Sequence, residues 1–247
     1  MIDLYPAIDL LGGRVVRLRQ GDYADETVYG DDPVAVARDF AAAGARWVHV
    51  VDLDAARSGD PVNRPVVAAI ATALDGRTNV QTGGGVRTVD DARELAHAGV
   101  ARVVMGSAAV REPDLVAEAS EFVAVAVGLD HRDGEIAVHG WTQGSGVRLD
   151  DAYGRFPTAA VFVVTDIGRD GMLIGPDLEG LERAARLAPA PVIASGGVSS
   201  LADVVALARI ENLAGIITGK AVYEGRFTVL EALRALESPE TDGVSGS

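Results

Sequence analysis

The sequence predicts an α/β protein, a closed (β/α)₈ barrel assembled from two half-barrel repeats. Three observations predict it. Short β-rich apolar runs alternate strictly with Ala- and Leu-rich helical runs, eight of each, within 247 residues. Several runs, such as VAVAV and VFVV, are apolar almost throughout, as in parallel strands covered on both faces. Motifs also recur at nearly half the chain length. VHVVD (Val48–Asp52) resembles VFVVT (Val161–Thr165) 113 positions later, Gly84-Gly85-Val86 returns as Gly196-Gly197-Val198 at 112, and Gly106 matches Gly219 at 113. An open doubly wound sheet usually has about five to seven strands, whereas eight βα units in about 240 residues fit a TIM-type barrel.

The elements follow in order. The first strand, Leu4–Leu10, leads into a strand-like piece at 14–19 that extends its loop. The helix Pro33–Ala43 begins behind two aspartates with proline in its first turn and stops at Gly44. Strand Trp47–Asp52 and helix Arg64–Leu74 form the next unit, then strand Thr78–Gln81 and helix Val89–Ala98, which Gly99 ends. Strand Arg102–Met105 precedes helix Asp114–Ala119, whose start Pro113 marks. Strand Phe122–Leu129 carries a hairpin piece at 135–139 before helix Leu149–Phe156. The last three units are Ala160–Thr165 with Leu178–Leu187, Pro191–Ala194 with Leu201–Ala208, and Gly215–Thr218 with Thr228–Leu236. No segment reads as a linker, so residues 1–237 are expected to form one domain, and the polar tail 238–247 is expected to fray.

Composition excludes several functions. A net charge of −14 argues against nucleic acid as the main partner, because phosphate backbones demand a basic surface. A small phosphorylated substrate needs only a local site and stays open. With no cysteine, a disulfide scaffold, a zinc–thiolate centre, an iron–sulfur cluster and thiol catalysis drop out. The start MIDLYPAIDL is not a signal peptide, and no apolar run approaches the ~18 residues of a membrane span, so a cytoplasmic monomer is expected. His49, His97, His131 and His139 lack ligand spacing, and the glycines lack the dinucleotide pattern. No metal, membrane partner or cofactor is expected.

Glycine is abundant, 29 residues, and it gathers at strand ends. A glycine turn feeding a helix aims free N–H groups and the positive helix end at an anion. Barrels often hold a phosphate between the loops after strands 7 and 8, here Ser195-Gly196-Gly197 and Thr218-Gly219-Lys220. The repeat supplies a second pair half a turn away, Gly83-Gly84-Gly85 and Gly106-Ser107. The pattern points to a substrate with a phosphate at each end, although tight βα turns alone would also use these glycines. Between the two pairs, Asp9 ends the first strand and Asp170 lies in the loop after the sixth, where two carboxylates with split pKa values suit acid–base chemistry. Asp130 closes the fifth strand as the counterpart of Asp9, and Thr165 ends the sixth. Trp141, in HGWTQGSG, could close over a planar ring, while Arg17 and Arg19 could reach a phosphate. His49 lies on the second strand and could equally be a core residue.

The stretches PAIDLLGGRVVRLRQGDYADETVYGDDP, VHVVDLDAA, GGGVRT, VVMGSAAV, VHGW, TDIGRDGMLIGPD, ASGGVSS and GIITGKAVYEGRF together resemble one family from residue 1 to about 236. It is the histidine-biosynthetic isomerase family that acts on phosphoribosylformimino-aminoimidazole carboxamide ribotide (ProFAR). The resemblance implies a (β/α)₈ barrel performing a cofactor-free Amadori rearrangement of a bisphosphorylated substrate. It implies Asp9 as general base and Asp170 as general acid. Asp130, Thr165 and His49 would be supporting polar groups, and Trp141 would stack on the substrate imidazole. Gly84, Gly85, Gly106 and Ser107 would hold one phosphate, and Gly196, Gly197, Gly219 and Lys220 the other. The sister cyclase carries a cysteine before Leu-Asp in its first strand and lacks the tryptophan of VHGW. The dual-substrate actinobacterial relative, which also isomerises phosphoribosyl anthranilate, usually has arginine two positions before that tryptophan, where this chain has His139. The Ala-, Val- and Arg-rich composition would nonetheless suit an actinobacterial source, and the dual activity stays open as the alternative.

Overall fold

A computed structural model describes residues 2–19, 21–74 and 76–237. The tail expected to fray lies outside the described residues, as does the side chain of Arg19. Twelve strands form one sheet: β1 (Asp3–Leu11), β2 (Arg14–Arg19), β3 (Asp22–Gly30), β4 (Trp47–Asp52), β5 (Asn79–Gly83), β6 (Arg102–Met105), β7 (Ala124–Arg132), β8 (Glu135–Val138), β9 (Gln143–Arg148), β10 (Val161–Asp166), β11 (Val192–Ser195) and β12 (Leu213–Thr218). Eight of them, β1, β4, β5, β6, β7, β10, β11 and β12, pair in that order and all in parallel, and β12 returns to β1. The closed (β/α)₈ barrel is therefore present.

Helices cover the outside: α1 (Pro33–Ala42), α2 (Leu53–Ser58), α3 (Arg64–Leu74), α4 (Val89–His97), α5 (Ser107–Arg111), α6 (Asp114–Ala119), α7 (Leu149–Ala152), α8 (Leu178–Leu187), α9 (Leu201–Ala208), α10 (Lys220–Tyr223) and α11 (Val229–Glu237). Their apolar faces close on the outer faces of the strands, where Ile8, Val50, Val103, Val127, Phe162 and Ile216 are fully or almost fully buried. The inner faces form a second, smaller cluster that includes Ala126, Val161, Val163, Ile193 and Ile217. Strands packed on both faces account for the continuous apolar runs in the sequence. Among the described residues no helix is long and apolar enough to cross a membrane.

Caps explain why several helices begin where they do. Asp32 accepts a hydrogen bond from the Ala35 N–H ahead of Pro33, and Asp177 accepts from Gly180 N–H. Thr88 with Asp91 and Ser200 with Asp203 form reciprocal capping boxes at α4 and α9. Both pairs stand 112 residues apart, so the repeat extends to helix starts.

Some elements depart from expectation. The strand β3 pairs with β2 but carries mostly exposed residues, so no burial alternation marks it. The strand β9, QGSGVR, has poor strand propensity and is held by β8. The expected helix Leu149–Phe156 breaks into α7 and a 3₁₀ turn, Tyr153–Arg155, around Gly154. Phe122 precedes β7 and lies beneath the Arg93 guanidinium, 4.9 Å from its ring centroid. The matching of VHVVD to VFVVT at 113 is also one residue out of phase. Val48 faces the helices whereas Val161 faces the barrel interior. Strand side chains alternate faces, so a one-residue slip inverts them. His49 and Val51 match Val161 and Val163, at 112, the offset of the following glycines.

Candidate active site

A cavity of about 330 Å³ opens where the barrel strands end. Asp9, Arg17, His49, Asp130, Trp141, Thr165 and Asp170 line it, together with Gly84, Gly85, Gly106, Ser107, Gly196, Gly219 and Lys220. Of the site residues that the family resemblance implies, Gly197 alone is not in this wall. Its carbonyl accepts from Gly175 N–H at 3.0 Å, and a Cβ there would overlap the Gly175 carbonyl. Its role is close backbone packing beneath the loop that carries Asp170.

The two glycine pairs have matching backbones. Gly84 and Gly85 have φ of 83° and 73°, and Gly196 and Gly197 have 91° and 83°, a region that favours glycine. Gly106 and Gly219 each precede a short helix that has no side-chain cap. The capping boxes already engage first-turn amides of α4 and α9, so the amides left for an anion are those of the glycine turns and of α5 and α10.

The carboxylates differ in surroundings. Asp9 Oδ2 accepts from Arg17 Nη1 at 2.7 Å, and Arg17 Nη2 reaches the Ala7 carbonyl at 3.0 Å. Burial pushes the Asp9 carboxyl up, against the opposing pull of Arg17. Among the described residues Asp170 has no such partner in contact. Burial raises it to about 6, Arg17 works against the rise, and the charges of Asp9 and Asp130 add to it. Its loop is tied down by Asp170 N–H to Asp166 O at 3.0 Å and by Lys220 Nζ to Gly171 O at 2.9 Å. Asp130 accepts from Trp141 Nε1 at 2.8 Å. Burial raises Asp130, and hydrogen bonds from Trp141 and Thr165 oppose that.

Arg17 and Lys220 therefore stand at the second glycine pair, engaged with protein oxygens. The Arg17 guanidinium packs directly on Gly219, leaving no room for a side chain there. Ser107 accepts from His139 N–H at 2.9 Å and ties the first glycine pair to the β8–β9 hairpin. At that hairpin tip His139 and Trp141 both have positive φ, 55° and 71°, a strained conformation in non-glycine residues. The Trp141 ring rests on Gly21, between β2 and β3, where a Cβ would lie 2.7 Å from Cε3. Arg111 and Tyr23, which carry no site signal in the sequence, also line the cavity, as does His139, to which the sequence assigns no site role. Arg111 sits one helical turn after Ser107, a spacing that ties it to the Gly106-Ser107 turn. Among the described residues no group of three or more His, Asp or Glu is placed to hold a metal ion.

Proteins of similar sequence show the family. A family profile described as "Histidine biosynthesis protein" matches residues 3–228. A protein of Shouchella clausii is 49% identical over 93% of this chain and 96% of its own length. One of Rhizorhabdus wittichii is 48% identical over 94% and 98%, and one of a Picosynechococcus species is 47% identical over 95% and 93%. Each of the three bears the name 1-(5-phosphoribosyl)-5-((5-phosphoribosylamino)methylideneamino)imidazole-4-carboxamide isomerase. A profile match over residues 3–228, with relatives aligned to this barrel almost end to end, places this chain in the histidine biosynthesis protein family.

Proposed function

We propose that this chain is an aldose–ketose isomerase that converts ProFAR, the imidazole carboxamide of its relatives' names, to its phosphoribulosyl isomer. The observation that carries the reading is the pairing of Asp9 and Asp170 in the wall of one cavity, with a glycine-rich turn on either side. A substrate with phosphates at both ends would span those cradles and lay its aminated ribose across the carboxylates.

Asp170, held near 6, keeps a proton close to neutral pH and is suited to be the general acid. It would protonate the ribose ring oxygen. The ring C–O bond then breaks, and the nitrogen lone pair forms the C1=N bond of a protonated Schiff base. Asp9, whose charged form Arg17 supports, would take the C2 proton. The C2–H electrons form C1=C2 and neutralise the nitrogen, giving an enol. The enol proton leaves its oxygen, C1 gains a proton and the C2 ketone results, with no net change in atoms or electrons. Asp130, braced by Trp141 and Thr165, would bind sugar hydroxyls, and the Trp141 face would stack on the imidazole. The rearrangement written above uses no cofactor, and the same proposal takes the enzyme to act as a monomer in the cytoplasm. Steady-state kinetics on ProFAR and on phosphoribosyl anthranilate tests the reading. Turnover of the first is expected; no turnover of ProFAR would sink the assignment, and turnover of both would establish a dual-substrate isomerase.

A further inference from the structure

Three neighbouring strand positions of the barrel interior are polar in the first half and apolar or glycine in the second. In the second half Val161, Val163, Ile193 and Ile217 line it. In the first half three polar side chains stand side by side on neighbouring strands. His49 pairs in register with Gln81, and Gln81 with Arg102. By the half-barrel offsets of 112 and 113 these three take the places of Val161, Ile193 and Gly215. The ring of Tyr5 packs against Gly215, and its hydroxyl meets Arg102.

Hydrogen-bond chemistry fixes where the protons lie in this row. Arg102 Nη1 is 3.1 Å from Gln81 Oε1 and 3.1 Å from the Tyr5 hydroxyl, with the guanidinium stacked 4.3 Å from the Trp47 ring centroid. A guanidinium can only donate, so the amide atom it faces must be the oxygen. Gln81 therefore turns its NH₂ toward His49 Nδ1, 3.1 Å away. An amide nitrogen can only donate, so Nδ1 must accept, and the proton of a neutral ring sits on Nε2. His49 lines the cavity, and Nδ1 makes its only hydrogen bond among the described residues. Burial, with Arg17 as a second cause, holds the imidazolium down to about 3, so the ring is neutral at ordinary pH.

We propose that Arg102 and Gln81 are positioning residues: they lock His49 in the Nε2–H tautomer, so that its free N–H is a preset donor to a sugar oxygen of the substrate. The role in turnover rests on the isomerase reading above; the tautomer does not. A neutral donor stabilises the C2 oxygen as the enol gives up its O–H proton and negative charge gathers there, and its other nitrogen, already engaged by Gln81, does not compete with Asp9 for the C2 proton.

Nitrogen-15 NMR of the histidine side chains in the full chain tests the tautomer directly. Between about pH 6 and 8, His49 is expected to carry its proton on Nε2 alone. Gln81→Glu keeps the size and the Arg102 contact but presents only acceptors, so the proton must move to Nδ1. That variant should lose about tenfold or more in kcat, the scale of one misplaced buried hydrogen bond, with a much smaller change in KM. Arg102→Lys retains a donor to Gln81 and should keep both the tautomer and turnover. Arg102→Met frees the amide to rotate and should give mixed tautomers and reduced kcat. A wild-type proton on Nδ1 would overturn the proposal, as would Gln81→Glu with a reversed tautomer and unchanged kcat. Nε2–H in a wild-type chain that does not turn over ProFAR would remove the isomerase reading and the sugar contact with it, leaving the relay standing.

Discussion

The two half-barrels agree at the mouth and disagree inside. At the mouth the same backbone turns recur at offsets of 112 and 113, with positive φ at Gly84, Gly85, Gly196 and Gly197 and capping boxes at Thr88 and Ser200. Inside, His49, Gln81 and Arg102 stand where the other half has aliphatic or glycine residues. The difference shows which part of a duplicated fold a symmetric ligand would constrain. Two phosphates ask for the same turn twice, whereas the chemistry between them is asymmetric and needs different groups on either side. The carboxylates follow the same rule. Asp9 in the first half is ion-paired with Arg17, and Asp170 in the second meets no cation in contact among the described residues.

The largest effects should come from removing those carboxylates. Asp9→Asn and Asp170→Asn are each expected to cut kcat by at least ~10²-fold, the lower end for acid–base groups, while binding by isothermal calorimetry survives. Near-normal turnover in either variant would break the division of labour between the halves. Next come the turns. A Cβ at Gly84 would overlap the Asp52 carbonyl, whereas one at Gly196 would lie 3.0 Å from Asp166 O. Gly84→Ala should destabilise by about 3 kcal/mol or more and Gly196→Ala by about 1–2 kcal/mol in urea unfolding. Equal losses would mean that the halves are as alike in packing as in φ.

Asp170 also links function to stability. Its pKa is about 6 in the folded chain against 3.8 for the free group, so folding favours the protonated form. That contribution is full below about pH 4 and is lost as pH rises through 6. Asp170→Asn should therefore be more stable than the parent by about 1–3 kcal/mol at pH 8 and no more stable near pH 4, as read by thermal unfolding. With Asp170 as the acid, kcat/KM should fall above about pH 6; a limb that persists in Asp170→Asn would assign it elsewhere. The smallest effect is expected from Trp141→Phe, which keeps a stacking face but loses the 2.8 Å bond to Asp130. KM should rise about three- to tenfold, the scale of one net hydrogen bond, with little change in kcat.

Much of this was legible in the chain. Alternating apolar runs gave the barrel, and Gly84, Gly106, Gly196 and Gly219 marked the mouth because glycine is needed where backbone must turn with positive φ or leave room for a neighbour. Three features were not legible. The strand β3 lies clear of the core, so burial left no period in its sequence. The Arg17–Asp9 ion pair depends on the hairpin β1–β2 folding back to set Asp9 opposite Val16, a register that residue spacing does not encode. The His49–Gln81–Arg102 row joins residues from three strands, and only barrel closure and its stagger bring them level. Gly197 shows the reverse case, a residue with the right motif whose space is filled by Gly175.

The contact of Trp141 with Gly21 has an optical consequence. The chain has two tryptophans, and they report on opposite ends of the barrel. Trp47 is stacked on Tyr5 at the start of β4, centroids 5.4 Å apart, beneath Arg102. Trp141 bridges the hairpins β2–β3 and β8–β9, which belong to different halves. With Trp47→Phe the remaining indole becomes a single intrinsic fluorophore seated on the seam between the halves, able to time the parting of the two hairpins as a ligand enters.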